Sequence, residues 1–302
     1  MPKALVTGLG GFVGPYLQTV LASKGFTVVG LDRSCKSDNQ IRQADLLDAE
    51  QVNKIINEEK PAVVAHLAGF SSVKASWQSP EKAMSVNVEG TRNLLQAIEK
   101  AGIAPKVLLV SSAEVYGPPT SLPIKEDHQL NPQNPYARSR VAQEKLIHEF
   151  DLPIVITRSF NHTGPGQQEI AVVSSFAKQI AQIEKGKQMP LLTVGNLEVK
   201  RDISDVRDVV IAYADLMEKG RPGEIYNVCS GQSYTIKYIL EKLISYSDKE
   251  IQYQVDKSLF RPNDIPVLWG DNSKIRSAID WQPTIPIERT LKDILKYWRQ
   301  KQ

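Results

Sequence analysis

The feature that most constrains the fold of this chain is an alternation of short apolar runs with amphipathic stretches over its first 160 residues. Apolar runs of strand length, bounded by turn residues, occupy residues 3–7, 27–31, 62–66, 106–111 and 153–157. Patterns of helical period occupy residues 12–24, 49–58, 81–100 and 135–150. Strands and helices that alternate in this way form a parallel sheet covered by helices. We therefore predict an α/β fold with a doubly wound parallel sheet.

The pattern changes after Ser159. Longer helical patterns at residues 172–187, 206–218, 235–245 and 287–300 are separated by loops rich in proline, glycine and asparagine. We predict a domain of residues 1–160 and a smaller C-terminal lobe of residues 161–302, with a segment of about residues 205–230, including a strand at 225–228, returning to the main sheet. Ligands of such folds bind beyond the carboxyl ends of the strands, so we expect a substrate cleft between sheet and lobe.

Charge and cysteine content restrict the class of partner. The chain has 37 basic and 34 acidic residues, and its formal net charge of +3 is too balanced to favour nucleic acid or a membrane as a partner. Cys35 and Cys229 lie far apart without metal-ligand spacing, so we predict two reduced thiols and no metal site. The first strand begins too early to leave room for a signal peptide, and no apolar run approaches the roughly 20 residues of a membrane helix. We therefore expect a cytoplasmic protein.

A glycine-rich turn joins the first strand to the first helix. Gly8, Gly11 and Gly14 follow the strand directly and open a helical pattern that begins with Phe12 and Val13. Glycine permits a tight turn in which backbone N–H groups approach a pyrophosphate at the positive end of the helix. Strand, turn and helix together predict a dinucleotide-binding domain of the Rossmann type, with Gly8, Gly11, Phe12 and Val13 in contact with the cofactor.

Asp32 ends the second strand, where an acidic side chain accepts hydrogen bonds from both hydroxyls of an adenosine ribose and repels a 2′-phosphate. Arg33 beside it can pair with such a phosphate. The two residues favour opposite cofactors, and we prefer NAD(H) over NADP(H) by a small margin. Further residues at turns and strand ends are assigned to the cofactor: Asp45, Leu46, Leu67, Ala68 and Gly69.

Three polar side chains form the predicted catalytic group. Ser112 follows the fourth main strand, and Tyr136 and Arg140 lie four residues apart on one face of the next helix. In a doubly wound sheet both places lie on the cofactor side. Ser112 can orient and polarise a substrate oxygen, and Tyr136 can exchange a proton with it. The Arg140 cation can favour the phenolate and hold the nicotinamide ribose.

These residues carry a resemblance to a known family. The turn of residues 8–14, together with Asp32, Ser112 and Tyr136, resembles the extended short-chain dehydrogenase/reductase family, whose members act on nucleotide-activated sugars with NAD(P). The resemblance covers essentially the whole chain. It departs at Arg140, where the family has lysine. Arginine keeps the positive charge, but it is planar and bulkier and cannot pass on a proton as an ammonium can.

Three segments of the second half resemble the GDP-mannose branch of that family, at residues 158–166, 195–202 and 261–266. Guanidinium groups pair with phosphate oxygens in bidentate fashion, which makes Arg201 and Arg261 the expected diphosphate contacts. The resemblance implies that Asn161 reaches the diphosphate or the sugar and that Asn196 and Asp264 lie near the nucleoside. It implies a GDP-linked 6-deoxy-4-keto hexose as the substrate.

The GDP-mannose branch contains 4,6-dehydratases and shorter 4-keto reductases. Dehydration needs an additional acid or base, and Glu114 stands where dehydratases of the superfamily keep a catalytic glutamate. The other segments and the short chain resemble the reductases. We expect reduction of the 4-keto group of GDP-4-dehydro-6-deoxy-D-mannose to GDP-D-rhamnose, with Ser112 and Glu114 beside the sugar. GDP-mannose 4,6-dehydration, another nucleotide-sugar epimerisation or dehydration, and a weakly active NAD(P)-binding pseudoenzyme are the alternatives.

The resemblance also implies a homodimer. In the family, two helices from each chain form a four-helix bundle, and the corresponding patterns here lie near residues 88–101 and 136–150. Apolar residues on these helices fit either such an interface or the core of one chain: Leu94, Leu95, Ile98, Val141, Leu146 and Ile147.

Overall fold

The computed structural model describes residues 1–35, 40–260 and 264–301. The strands are β1 (Lys3–Thr7), β2 (Thr27–Asp32), β3 (Ile41–Gln43), β4 (Val63–His66), β5 (Lys106–Ser112), β6 (Ile154–Ser159), β7 (Asn161–Thr163), β8 (Leu191–Val194), β9 (Lys200–Asp205), β10 (Ile225–Val228), β11 (Ser233–Thr235), β12 (Gln252–Val255) and β13 (Val267–Leu268). The α-helices are α1 (Gly14–Ser23), α2 (Ala49–Glu59), α3 (Val73–Gln78), α4 (Pro80–Met84), α5 (Gly90–Lys100), α6 (Pro135–Leu146), α7 (Val172–Glu184), α8 (Val206–Lys219), α9 (Ile236–Ile244), α10 (Ser273–Ile279) and α11 (Ile287–Lys301). A π-helical turn (Ser85–Glu89) joins α4 to α5, and short 3₁₀ turns lie at Ala113–Tyr116, Ile147–Glu149 and Lys257–Leu259.

The main sheet contains, within the described residues, seven parallel strands in the order β10-β6-β5-β4-β1-β2-β3. The order reverses between β1 and β4, and folds of this class bind ligands in the crevice beyond the carboxyl ends at such a point. The doubly wound α/β fold predicted from the apolar runs is confirmed. The pattern did not predict β3, because Ile41–Gln43 is a short, largely polar strand at the edge of the sheet.

Helices cover both faces of this sheet. One face packs against α1 and α8 through a core that includes Leu17 and Val209. The other face packs against α2 and α5 through a core that includes Ile56 and Leu94. Full burial of one such aliphatic side chain stabilises the fold by about 1.5–3 kcal/mol. The two cores therefore hold the carboxyl ends of β1, β4 and β5 in fixed positions beside one another.

The apolar residues that suggested a dimer interface lie largely in the core of the single chain. Leu94, Leu95 and Ile98 are at most 1% exposed, and Leu146 and Ile147 are also buried. Val141 is partly buried against a separate small core beside the turn that follows β5. Their burial is therefore accounted for within one chain.

The lobe has smaller sheets and a core of its own. Strand β9 pairs with β7, β11 and β13, while β8 pairs with β12. Helices α7, α9 and α11 pack around Phe176, Leu240 and Leu291. Strand β10 lies outside this lobe and extends the main sheet beside β6. Among residues 1–35, 40–260 and 264–301, no helix combines the length and hydropathy that a membrane span requires.

Helix α1 contacts the loop that follows β7. The Phe12 ring, just before the helix, stacks on the His162 ring with centroids 6.2 Å apart and planes 8° from parallel. The Tyr16 hydroxyl donates a hydrogen bond to the Pro165 carbonyl at 2.6 Å. The helix after the glycine turn and the first loop of the lobe therefore form one continuous surface.

Candidate active site

The glycine turn after β1 has the geometry of a phosphate-binding loop. Gly8 has a φ of +74°, and a Cβ there would lie 3.0 Å from the Ala68 backbone. A Cβ at Gly14 would lie 2.1 Å from the Leu9 carbonyl oxygen. Among the described residues, the first turn of α1 has neither a side-chain cap nor an acidic residue, so its N–H groups remain available to an anion. The turn fits a pyrophosphate.

Asp32 is fixed at the end of β2 by two backbone donors. Its Oδ2 accepts a hydrogen bond from the Gly10 N–H at 2.9 Å, and its Oδ1 accepts one from the Ser34 N–H at 2.8 Å. Each carboxylate oxygen can accept a second hydrogen bond from a ribose hydroxyl. Arg33 is exposed instead, and its Nη1 lies 3.5 Å from the Asp45 carboxylate. Two predicted cofactor contacts, Arg33 and Asp45, therefore form an ion pair at the surface.

The turn after β4 approaches α6 closely. The Ala68 N–H donates a hydrogen bond to the Thr7 hydroxyl at 3.1 Å. A Cβ at Gly69 would lie 2.7 Å from Asn87 Oδ1 and 2.8 Å from Arg140 Nη2. Only glycine therefore fits this turn without displacing a neighbour.

Two other predicted cofactor contacts, Leu46 and Leu67, are apolar side chains that pack inward. Leu46 is buried in the core on the α2 and α5 face, and Leu67 packs against the core on the α1 and α8 face. Both side chains therefore pack in the hydrophobic cores rather than facing a ligand. A contact with a cofactor at these positions would therefore involve the backbone.

Tyr136 lies in the first turn of α6, whose start is held by Asn134. The Asn134 side chain accepts the Ala137 N–H at 2.8 Å, and the Tyr136 N–H donates to the Ser76 hydroxyl at 3.2 Å. Tyr136 is 7% exposed. Ser112 ends β5, which α6 contacts, and its hydroxyl accepts a hydrogen bond from the Glu114 N–H at 3.2 Å.

A buried ion pair anchors α6 to β6. The Arg158 Nη2 lies 2.8 Å from Glu144 Oε2, and both side chains are buried. The Ser111 hydroxyl donates a further hydrogen bond to the same carboxylate. The guanidinium of Arg158 and the carboxylate of Glu144 therefore neutralise each other's charge and supply each other's hydrogen bonds in the interior. Because Glu144 lies on α6, this pair also fixes the rotation of α6 about its axis.

Arg140 lies one turn after Tyr136 and is 4% exposed. Its Nη1 donates hydrogen bonds to the Val110 carbonyl at 3.1 Å and to Gln143 Oε1 at 2.8 Å. The centre of the guanidinium lies 5.3 Å from the centroid of the Tyr136 ring, a cation–π contact. Its Nε is buried without a partner among the described residues. A buried donor without a partner, on a guanidinium that contacts the Tyr136 ring, fits a ligand that brings a hydroxyl group.

A chain of neutral side chains continues from Arg140 into the core. Gln143 Nε2 donates to the Thr91 hydroxyl at 2.7 Å, and that hydroxyl lies 2.9 Å from His66 Nε2. His66 Nδ1 lies 2.8 Å from the Thr7 hydroxyl. Burial, with a smaller contribution from the Arg140 charge, lowers the pKa of His66 from 6.5 to about 3. His66 is therefore neutral at physiological pH.

Sequence reasoning missed Asn87, Thr91 and Gln143. Asn87 Nδ2 donates to the Ser139 hydroxyl at 2.8 Å, which ties the π turn before α5 to α6. A signal was present in the spacing, because Asn87 and Thr91 lie four residues apart and Gln143 lies three residues after Arg140. Polar residues at such spacing otherwise resemble a solvated helix face.

Glu114 lies in the 3₁₀ turn after β5, where its carboxylate contacts the start of α6. Glu114 Oε2 accepts a hydrogen bond from Asn134 Nδ2 at 3.0 Å. Asn134 is the residue that caps the helix carrying Tyr136. Glu114 therefore stabilises the cap, and a carboxylate near a helix N-terminus also interacts favourably with the helix dipole.

The predicted substrate residues of the lobe are only partly brought together. Arg201 Nη2 donates to Asp264 Oδ1 at 2.6 Å, and Arg201 Nη1 donates to the Ile265 carbonyl at 2.7 Å. Asn196 accepts the N–H of Glu198 at 3.1 Å within a turn. Asn161 is exposed at the start of β7, and Arg261 lies outside the described residues. Within residues 1–35, 40–260 and 264–301, no cluster of His, Cys, Asp or Glu could hold a metal ion.

Comparison with known proteins shows similarity over essentially the whole chain. A GDP-6-deoxy-D-mannose reductase from Pseudomonas aeruginosa is 35% identical over 305 residues, covering 99% of this chain and 98% of that protein. The RMD of Pseudomonas aeruginosa, solved in complex with NADPH, has a TM-score of 0.89 and 34% identity, with 100% of both chains covered. A UDP-glucose 4-epimerase from Thermus thermophilus, solved in complex with NAD, has a TM-score of 0.88 and 27% identity, covering 98% of this chain and 99% of that one.

The family assignment rests on a match to nearly the whole chain. A family model described as GDP-mannose 4,6 dehydratase matches residues 5–294, which include the glycine turn, Ser112, Tyr136 and the segments of the lobe. Together with the end-to-end similarity to the reductase, this shows that the chain belongs to the GDP-mannose 4,6 dehydratase family, within the extended short-chain dehydrogenases/reductases.

Proposed function

We propose that this protein reduces the 4-keto group of GDP-4-dehydro-6-deoxy-D-mannose to GDP-6-deoxy-D-mannose (GDP-D-rhamnose), with NAD(P)H as the reductant. The observation that carries this proposal is the similarity, over 99% of the chain, to a GDP-6-deoxy-D-mannose reductase. The side chains at the carboxyl edge of the main sheet have the chemistry that such a reduction requires.

Ser112, Tyr136 and Arg140 have separate roles in the proposed reaction. A nicotinamide coenzyme, when bound, supplies the hydride for C4 of the sugar. Ser112 donates a hydrogen bond that orients and polarises the keto oxygen, and Tyr136 transfers its phenolic proton to that oxygen as it becomes the alcohol. The Arg140 cation stabilises the tyrosinate that remains until solvent returns a proton. The glycine turn would bind the pyrophosphate of the coenzyme, Asp32 would bind its adenosine ribose, and Arg140 would bind its nicotinamide ribose.

The lobe supplies the residues for the nucleotide. Arg201 is the proposed contact for the diphosphate, together with Arg261 from outside the described residues, and Asn161 reaches the diphosphate or sugar. Asn196 and Asp264 are the proposed contacts for the nucleoside. Asp264 already pairs with Arg201, so one guanidinium would join the diphosphate and nucleoside subsites.

An assay that follows the absorbance of reduced nicotinamide tests this function. The purified chain is mixed with GDP-4-dehydro-6-deoxy-D-mannose and with NADH or NADPH in separate reactions. Coenzyme oxidation with formation of the 6-deoxy alcohol is expected, and Tyr136→Phe should lower the rate about 100-fold or more. If neither coenzyme is oxidised, the proposed reduction is wrong.

The preference for NAD(H) is a second part of the proposal. Asp32 is held as a hydrogen-bond acceptor at the end of β2, whereas Arg33 is engaged with Asp45. Both features favour two free ribose hydroxyls over a 2′-phosphate. Asp32→Asn should reduce the preference for NADH over NADPH about ten-fold, measured as the ratio of kcat/KM values. An unchanged ratio would contradict the role of Asp32.

Dehydration of GDP-mannose is the second candidate function. It is favoured by the presence of Glu114 at the position of the dehydratase glutamate and by the description of the family model. The hydrogen bond between Glu114 and the capping residue Asn134 argues for the reductase, since it gives this carboxylate a structural task. Conversion of GDP-mannose to its 4-keto form without added reductant would establish the dehydratase instead.

A homodimer in the cytoplasm completes the proposal. The proposed interface is a four-helix bundle of α5 and α6 from two chains. It rests on the family resemblance, because the buried apolar residues of these helices are already covered within one chain. The buried thiol Cys229 suits a reducing compartment. Light scattering on the purified protein tests the mass of the assembly, and cell fractionation tests the location.

A further inference from the structure

We propose that Gln143 is the positioning residue for Arg140, and that Gln143 and Gly69 together adapt this site to an arginine in place of lysine. The inference deepens the proposed function, on which it rests, because it concerns the cation beside Tyr136. Three observations carry it: the hydrogen bonds of the guanidinium, the fixed orientation of the Gln143 amide, and the contact of Arg140 with Gly69.

The Arg140 guanidinium is held at one of its three nitrogens. Nη1 donates to the Val110 carbonyl and to Gln143 Oε1, at 3.1 Å and 2.8 Å. Gln143 is 0% exposed, so water does not compete for its amide. Nε has no partner among the described residues and Nη2 faces Gly69. Nη1 therefore fixes the group, and Nε is the buried nitrogen left without a partner among the described residues.

The orientation of the Gln143 amide follows from its second hydrogen bond. The Thr91 hydroxyl donates its only proton to the Asn87 carbonyl at 2.6 Å. It must therefore accept from Gln143 Nε2 at 2.7 Å, which directs the amide oxygen of Gln143 toward Arg140. A reversed amide would place its NH₂ group against the guanidinium and its oxygen against an oxygen.

His66 reinforces this orientation. Since the Thr91 proton is used, Thr91 also accepts from His66 Nε2 at 2.9 Å. The proton of neutral His66 then lies on Nε2, and Nδ1 accepts from the Thr7 hydroxyl at 2.8 Å. Gln143, Thr91, His66 and Thr7 therefore all have hydrogen-bond partners, and none of them is anionic. This network fixes Arg140 without neutralising its charge.

A lysine would use the same acceptors differently. The planar guanidinium donates from Nη1 to both the Val110 carbonyl and Gln143 Oε1, and its other two nitrogens stay apart from these acceptors. An ammonium has only one nitrogen, which would have to make all of these contacts. The Val110 carbonyl and Gln143 Oε1 would therefore draw a lysine nitrogen away from the ligand. The site is thus matched to arginine.

Gly69 provides the space for the larger group. A Cβ at this position would lie 2.8 Å from Arg140 Nη2 and 3.2 Å from Nη1. Because Nη1 is already fixed by two acceptors, the guanidinium cannot move aside without breaking a hydrogen bond. Alanine at position 69 should therefore displace Arg140 more than it would displace a lysine.

A double-mutant cycle between Arg140 and Gln143 tests the inference. The variants are Gln143→Met, Arg140→Lys and their combination, with Gln143→Glu as a further variant that keeps an acceptor oxygen but adds a negative charge and loses the donor to Thr91. Arg138→Lys, an exposed exchange of the same type on the same helix, is the matched control. Fluorescence titration gives the dissociation constants of NADH and NADPH, and the reduction assay gives kcat and KM.

Gln143→Met should lower kcat about ten-fold with the KM of the keto sugar within about two-fold, and it should weaken coenzyme binding. In the Arg140→Lys background the same change should cost less than about two-fold. Gln143→Glu should not recover the loss, because its carboxylate neutralises Arg140 and sets a second oxygen against the Thr91 hydroxyl oxygen. Equal losses in both backgrounds, or a lower melting temperature with unchanged kinetics, would overturn the inference. Gly69→Ala, compared in the same two backgrounds, gives an independent reading if Gln143→Met does not fold.

The coenzyme titrations separate this inference from the proposed reaction. If the wild type binds coenzyme but reduces no keto sugar, the proposed function fails, and the coupling between positions 140 and 143 is still measured as a difference in dissociation constants. Absence of that coupling, in a wild type that binds coenzyme, overturns the role of Gln143.

Discussion

Two buried arginines, one in each half of the molecule, are held in opposite ways. Arg140 is 4% exposed, and its hydrogen bonds within the described residues go to neutral oxygens. Arg201 is 7% exposed and lies 2.6 Å from the Asp264 carboxylate. A buried cation without a carboxylate lowers the stability of the fold, while a paired one is largely offset by its partner. Within the described residues, the positive charge of Arg140 is therefore not neutralised by a carboxylate, which lowers the stability of the fold, and it acts on the Tyr136 ring beside it.

The same difference bears on anion binding. A diphosphate near Arg201 also meets the negative charge of Asp264, so part of the attraction is cancelled. No carboxylate of the described residues forms an ion pair with Arg140. We therefore expect substitutions at Arg140 to act on catalysis and substitutions at Arg201 to act on substrate affinity and on stability.

Removal of the charge at Arg140 should have the largest effect on the reaction. Arg140→Met should lower kcat/KM for the reduction about 100- to 1000-fold, because the tyrosinate loses its cation. The melting temperature should stay within about 3 °C of the wild type or rise, since an uncompensated buried charge is removed. Kinetics and calorimetry on the same sample check both outcomes. A large fall in melting temperature would mean that Arg140 is mainly structural.

Removal of the charge at Arg201 should show the opposite balance. Arg201→Gln should raise the KM of the keto sugar about 10- to 100-fold with little change in kcat, because a charge-assisted contact to phosphate is lost. It should also lower the free energy of unfolding by about 1–3 kcal/mol, since Asp264 loses its partner. Asp264→Asn is the control that keeps Arg201. A fall in kcat at constant KM would contradict this assignment.

The pH dependence of stability should differ between the two halves, beginning with His66. Its pKa is lowered from 6.5 to about 3 by burial and by Arg140, so the unfolded chain binds a proton between these values that the folded chain does not. Its contribution to stability is therefore complete above pH 6.5 and is lost as the pH falls. Between pH 6.5 and about 5 the loss should be about 2 kcal/mol. Urea unfolding of the wild type and His66→Gln at several pH values measures this loss. If the free energies of unfolding of the two proteins change in parallel with pH, the prediction is wrong.

Asp202, next to Arg201, should give a smaller effect of opposite sign. Burial, opposed by hydrogen bonds from Ser230, Gly231 and Gly270, raises its pKa from 3.8 to about 6. The folded chain then binds a proton that the unfolded chain does not, so this stabilisation is complete below pH 3.8 and is lost as the pH rises to about 6. The difference between wild type and Asp202→Asn should change by about 1.4 kcal/mol per pH unit in this window. A flat difference would contradict the raised pKa.

The main sheet could be predicted from the sequence because its strands are buried on both faces. The observed β1 and β10 have the predicted bounds, and the other predicted strands differ by at most two residues at either end. Strand β3 was missed because a polar edge strand has no apolar run. The long helical pattern at residues 81–100 concealed a π turn, since an inserted residue hardly changes the hydrophobic period.

The site could be predicted less completely than the fold. The positions of Ser112, Tyr136 and Arg140 follow from strand ends and helix spacing, which are local properties. The ion pair of Arg201 with Asp264 joins residues 63 positions apart and depends on the pairing of β9 with β13. Gln143 was missed because a buried glutamine and an exposed one have the same sequence pattern, and only the packing of α6 against β5 and the π turn before α5 distinguishes them.

The contact between α1 and the loop after β7 has a thermodynamic consequence. The stacked rings of Phe12 and His162, and the hydrogen bond from Tyr16 to Pro165, join the wall of the proposed coenzyme site to the first loop of the lobe. If coenzyme binding restricts this wall, the sugar nucleotide then binds to a loop that has already lost part of its conformational entropy. Linkage requires the sugar nucleotide to change coenzyme affinity by the same factor. The coenzyme and the sugar nucleotide would thus each change the affinity of the protein for the other without direct contact at this point.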